Sequence, residues 1–143
     1  MQPQEGDAWM LKETVIDNEY VALWYYSDKK IVHHRIKKFI FGETFHEFLL
    51  AGTELLRKNK AKKWLSDDLD CPVLRKEDTE WGDANWFPQT AKAGWKYWAI
   101  VRPKKILGQM SIEKLVEKYS ESGIIAKFFT DPDEAMKWLE SQD

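Results

Sequence analysis

The chain carries one cysteine, Cys71, which excludes an internal disulfide and any multi-cysteine metal site and suits a reducing cytoplasm. Its 7 glycines and 5 prolines fall short of the usual share, roughly 12% of residues together, and that shortage argues against extensive disorder. Neither sign of charge predominates: 22 Lys and Arg face 24 Asp and Glu, a net charge of −2. A general nucleic-acid or membrane-surface binder would show a basic excess first. No apolar run approaches the roughly 20 residues of a membrane span. The start, MQPQEGDAW, lacks the basic-then-apolar layout of a signal peptide. What is present is apolar, and much of it is aromatic. Of 143 residues 43% are hydrophobic, enough for the core of one domain. Eight Trp, 5 Tyr and 7 Phe make 14% of the chain, an unusually aromatic composition.

Residues 1–8 are polar and expected to be loose. LKETVI, EYVALWYY and KIVHHRIKK follow, separated by Asp17-Asn18 and Ser27-Asp28. Asx residues tolerate the backbone of tight turns, so three antiparallel strands are expected. Thr44-Phe45-His46-Glu47 reads as a capping box opening a helix. Its apolar stripe is Phe45, Phe48, Leu49, Gly52, Leu55 and Leu56, with Gly52 placed for close packing. KKWLSDD reads as a short strand, YWAIV (97–101) as a buried one, and IIAKFF (124–129) as the last. Ser111 is expected to open a helix ending at Gly123. Asp131-Pro132-Asp133-Glu134 is a capped start for the final helix. The order βββ-α-β-α-β-α-β-α implies a single α/β domain over 1–143, its mixed sheet antiparallel first and parallel after.

Asp67, Asp68 and Asp70 crowd the carboxyl end of the 62–66 strand, where α/β sheets usually bind ligands. Two carboxylates there would suit Mg²⁺ beside a phosphate, with Lys104 and Lys105 as counter-charge. The spacing is unspecific, however, and acids with proline more simply make an ordinary solvated turn. His33 and His34 are adjacent on a strand, point to opposite faces and cannot share a metal. His46 falls about 120° from its helix's apolar centre and is expected to be exposed. Ser66 and Thr79 lack a nucleophile elbow. Lysines near Trp24, Tyr25 and Tyr26 fit strand edges and helix ends better than a nucleic-acid platform. No catalytic residue, metal ligand or cofactor is expected.

The segment 75–96, RKEDTEWGDANWFPQTAKAGWK, is the most informative. Trp81, Ala84, Pro88, Ala91 and Trp95 keep a helical spacing. Trp86 would then fall roughly 170° away. Either the indole lies outside the core or the helix breaks at 82–85, since Pro88 would clash. Asn85 and Gln89 add hydrogen-bonding groups, so the segment reads either as the wall of a cleft or as a place where Trp86 simply packs under a loop.

WLSDD at 64–68, Trp81 through WFP at 86–88, AGWKYWAIV at 93–101 and FFTDPDEAMKWL at 128–139 carry a family likeness. In this order the chain resembles the SpoIIAA-like group of the STAS/CRAL-TRIO-like superfamily, over about residues 10 to 140. The resemblance implies a small α/β domain acting as a regulatory or binding module. Anti-anti-sigma relatives are phosphorylated at a Ser or Thr in an Asp-Ser-Ser-Gly-like turn. Here that region reads SDDLDCPVLRKED, without a Ser-Gly pair, so the switch does not carry over. CRAL-TRIO-like relatives hold lipids in an apolar cavity but are larger, and 143 residues leave little volume for one.

Three readings follow. The first is a cytoplasmic, non-catalytic binding or regulatory module. Its surface combines Asp67, Asp68 and Asp70 with Trp81, Asn85, Trp86 and Gln89 and the helix start near Gln109. It would take a protein partner, without nucleic acid or a membrane span, and a homodimer is compatible. The second is a small apolar-ligand binder walled by Trp81, Trp86 and Phe87. The third is a Mg²⁺-dependent phosphoryl-transfer or phospho-acceptor domain, which needs two of the three aspartates to converge. Trp24, Trp64, Trp98 and Trp138 are assigned to the core.

Overall fold

A computed structural model describes residues 11–143; the expectation for residues 1–8 lies outside them. β-Branched and aromatic runs form β1 (Lys12–Asp17), β2 (Val21–Tyr26) and β3 (Ile31–Ile36). Asn18 Oδ1 accepts the backbone N–H groups of Tyr20 and Val21 at 2.8 and 3.0 Å and so closes the first turn. α1 (Gly42–Asn59) leads to β4 (Lys63–Asp67). Then α2 (Lys76–Trp81), a π-helical turn (Gly82–Trp86) and α3 (Phe87–Lys92) lead to β5 (Tyr97–Val101). α4 (Ile106–Ser120), β6 (Ile125–Phe129) and α5 (Pro132–Glu140) complete the chain. The strands lie in one sheet in chain order, antiparallel from β1 to β3 and parallel from β3 to β6. The expected mixed α/β domain is what forms. Among the described residues no helix is long and apolar enough to cross a membrane.

Crossovers of one hand, each stepping one strand along, put their helices on one face. On that face Val32, Trp64, Trp98 and Ile100 pack with Phe48, Leu56, Trp86 and Tyr119. On the other, Ile31, Leu65, Ala99 and Val101 pack with Ala135 and Leu139 of α5. Gly52 earns its place on the α1 stripe: a Cβ there would lie 2.8 Å from Cζ2 of Trp64. Asp131 caps α5 as expected, its side chain accepting the Asp133 N–H at 3.1 Å.

Three local expectations need correction. Thr44 does not cap α1, which begins at Gly42 after an uncapped Phe41. The cap comes from another element, because Gly42 N–H donates to the Asp78 carboxylate at 3.2 Å. α4 begins at Ile106 rather than Ser111, with no side-chain cap at Lys105. Gly108 allows this early turn to close on the chain, since a Cβ would lie 2.9 Å from Pro103 Cβ.

The 75–96 segment also departs from expectation. The helix does not break, and Trp86 is 6% exposed. Phe87 N–H donates to Gly82 O, five residues back. This wider turn puts Asp78, Gly82, Trp86 and Thr90, each four apart, on the inner side. Ala84 and Pro88 face solvent instead, and Ala91 is only half-buried.

Candidate functional site

Side chains alternate along a strand, so β3 presents His34 and β4 presents Trp64 and Ser66 to the face that carries α1 to α4. The register sets His34 beside Ser66 and Trp64 beside Trp98. Above these residues, at the carboxyl ends of β3, β4 and β5, lies a cavity of about 280 Å³. Phe45, Phe48 and Leu49 wall it from α1, Trp86 from the π turn, and Leu115 and Tyr119 from α4. Thr79, Asp83, Ser111, Lys114 and Lys118 stand at its more exposed end. The small volume expected of so short a chain is nevertheless an organised one.

The floor is polar, and its ring N–H groups are all hydrogen-bonded. Trp64 Nε1–H donates to His34 Nδ1 at 2.9 Å. An indole nitrogen only donates, so Nδ1 is unprotonated and the ring proton sits on Nε2. Nε2–H donates to Asp68 Oδ1 at 2.9 Å. Trp98 Nε1–H donates to Ser66 Oγ at 2.7 Å, and Trp86 Nε1–H to Leu49 O at 3.1 Å. With their N–H groups satisfied, these indoles act as apolar walls. Trp86 crosses Trp64 edge to face with centroids 5.4 Å apart.

The acidic turn does not act as one unit. Asp68 reaches the cavity floor. Asp70 turns outward to Arg35 at 2.9 Å and Lys104 at 3.1 Å, and the Arg35 hydrogen bond holds its carboxyl below the usual range. Asp67 accepts the Leu69 N–H at 3.3 Å, and burial pushes its carboxyl up. The three carboxylates thus have three separate sets of partners. Among the described residues no group of three His, Cys, Asp or Glu side chains is disposed to hold a metal. Cys71 donates to Pro72 O, and burial pushes its thiol well up.

Of the remaining expected site residues, Trp86 alone lines the cavity. Trp81 stacks on His46 with centroids 3.7 Å apart. His46 is therefore half-buried rather than exposed, and its Nε2 lies 3.1 Å from Asp78 Oδ1. Asp78 also accepts from Arg75 Nε at 3.0 Å. Burial opposes its charge, but Arg75 and the Gly42 N–H outweigh burial and lower its pKa. Phe87 stacks on Tyr119 at 4.0 Å outside the cavity lining. Asn85 and Gln89 are turned outward: Asn85 Nδ2 donates to Trp81 O, and Gln89 Nε2 to Asn85 O. The π turn that brings Trp86 inward carries them away. Gln109 Nε2 donates to Pro103 O at 2.9 Å and secures α4 rather than the cavity.

His34 and Ser66 are the floor residues that sequence reasoning set aside. Their signal was available, since each shares a strand face with core residues at the ligand-binding end of a parallel sheet. No protein-family model, no curated protein and no solved structure matches the chain.

Proposed function

We propose that this protein is a non-catalytic binding module whose ligand is a small, flat, largely apolar molecule with one hydrogen-bonding end. The observation that carries this reading is the cavity of about 280 Å³ walled by aromatic rings around a polar floor. Such a composition, apolar walls with few convergent polar groups, is what small-ligand sites use. A cavity of roughly 150 Å³ accommodates benzene, so a two-ring body fits here. Both ring nitrogens of His34 are already engaged, which supports binding rather than proton transfer. The kinship with the SpoIIAA-like group and a cytoplasmic setting without nucleic acid belong to the same proposal, supported by element order and the balanced charge.

The test is titration of the protein with 3-methylindole, followed by calorimetry. Saturable one-to-one binding is expected, and it should be lost in Ile112→Trp, which fills the cavity from α4. Unchanged binding in that variant would place the ligand elsewhere.

A second reading, compatible with the first, is association with another copy through the start of α4. Ile106, Leu107 and Met110 are 71%, 69% and 52% exposed there. Grouped apolar exposure of this kind marks interaction surfaces. Light scattering should then give a dimer mass that Leu107→Ser lowers; a monomer mass for the parent chain would dismiss it.

A further inference from the structure

Asp68 is the part of the cavity that apolar walls do not account for. It is 6% exposed. A carboxylate so placed stays charged only when a cation or several N–H donors face it. The other acids lining the cavity meet that condition: Asp78 holds Arg75 at 3.0 Å, and Asp83 holds Lys118 at 2.7 Å. Asp68 has the Nε2–H of His34 and, among the described residues, no Lys or Arg within ion-pair distance. His34 itself does not become the counter-ion, because the Trp64 N–H occupies the nitrogen that would take the second proton.

The surroundings repeat this demand. Six aromatic rings line the cavity, those of Phe45, Phe48, Trp64, Trp86, Trp98 and Tyr119. Aromatic faces attract cations, the more strongly where water is excluded. Lys118 at the entrance is matched by Asp83, and Lys114 is exposed to screening solvent.

We infer that the cavity takes a protonated arylalkylamine, its ammonium on Asp68 and its flat body among Trp64, Trp86 and Tyr119. The inference rests on the cavity being the ligand site proposed above and names the chemical class. Scaling from benzene, the body and its side arm come to about a dozen non-hydrogen atoms. Tryptamine has that size.

Calorimetry with the full chain at pH 7 separates the possibilities, using tryptamine, neutral 3-methylindole and anionic indole-3-propionate on one ring system. Tryptamine should bind at least about tenfold more tightly than 3-methylindole, the scale of a charge-assisted hydrogen bond. Indole-3-propionate should be the weakest. Asp68→Asn keeps an oxygen for His34 Nε2–H and removes the charge. It should bring tryptamine down to the level of 3-methylindole while leaving the neutral ligand within about twofold. Equal binding of tryptamine and 3-methylindole by the parent chain overturns the amine assignment and leaves the cavity reading standing. Failure of all three probes to bind overturns both. The charge series needs no variant, so a poorly folded Asp68→Asn does not rescue the inference.

Discussion

His33 should make this protein acid-labile in a measurable way. Its ring lies on the opposite face of β3 from His34, with Nδ1 3.1 Å from the Tyr26 hydroxyl and Trp24 at a centroid distance of 4.7 Å. Nε2 is buried and has no hydrogen-bond partner among the described residues. Burial pushes the pKa from 6.5 down to about 3. The folded value lies below the unfolded one, so the unfolded chain binds the extra proton. The stability from neutral His33 is therefore complete above pH 6.5 and is lost as pH falls from 6.5 towards 3. Each unit in that window costs about 1.4 kcal/mol, which amounts to about 2 kcal/mol at pH 5. Urea unfolding of the parent chain and of His33→Phe at pH 7.5 and pH 5.0 isolates this contribution, because every other titrating group is common to both. The parent should lose about 2 kcal/mol more than the variant between the two conditions. Equal losses in the two proteins would refute the reasoning.

Gly52→Ala forces a methyl group against the Trp64 ring, and overpacking of that kind costs about 1–3 kcal/mol. A thermal melt should show a clearly lower midpoint; an unchanged one would mean that α1 can move away from β4 freely. Asp78→Ala removes the shared partner of Gly42, His46 and Arg75. Water reaches Arg75 and His46 in part, so the expected loss is about 2 kcal/mol rather than that of a fully buried pair. Urea unfolding checks it, and a loss below about 0.5 kcal/mol would show that these contacts contribute nothing net.

Strand and helix order were legible because period-2 and period-3.6 patterns are local properties of the chain. LKETVI, YWAIV and the Asp131 cap needed no tertiary information. The start of α1 was not legible, because its cap is a carboxylate 36 residues away in sequence. Ile106 and Leu107 hid the start of α4, being apolar yet exposed and therefore silent in a core-seeking pattern. In 75–96 the spacing rule itself failed, since a period of 3.6 does not describe a turn closed at five residues. That turn decides which of Trp81, Asn85, Trp86 and Gln89 face inward. Of the candidate surface residues, Asp68 and Trp86 line the cavity, and the others lie outside its lining. His34 was judged by the metal it could not bind rather than by the face it occupied.

Among the described residues, α5 is the one helix on the second face of a six-stranded sheet, and it packs on β4, β5 and β6. Over β2 and β3 the rings of Trp24 and Tyr26 stand where helical side chains would otherwise lie, with Lys12 Nζ 4.6 Å above the Trp24 ring. The aromatic surplus is in this sense a substitute for secondary structure. Wide, rigid side chains lie over half a sheet face on which no helix packs among the described residues.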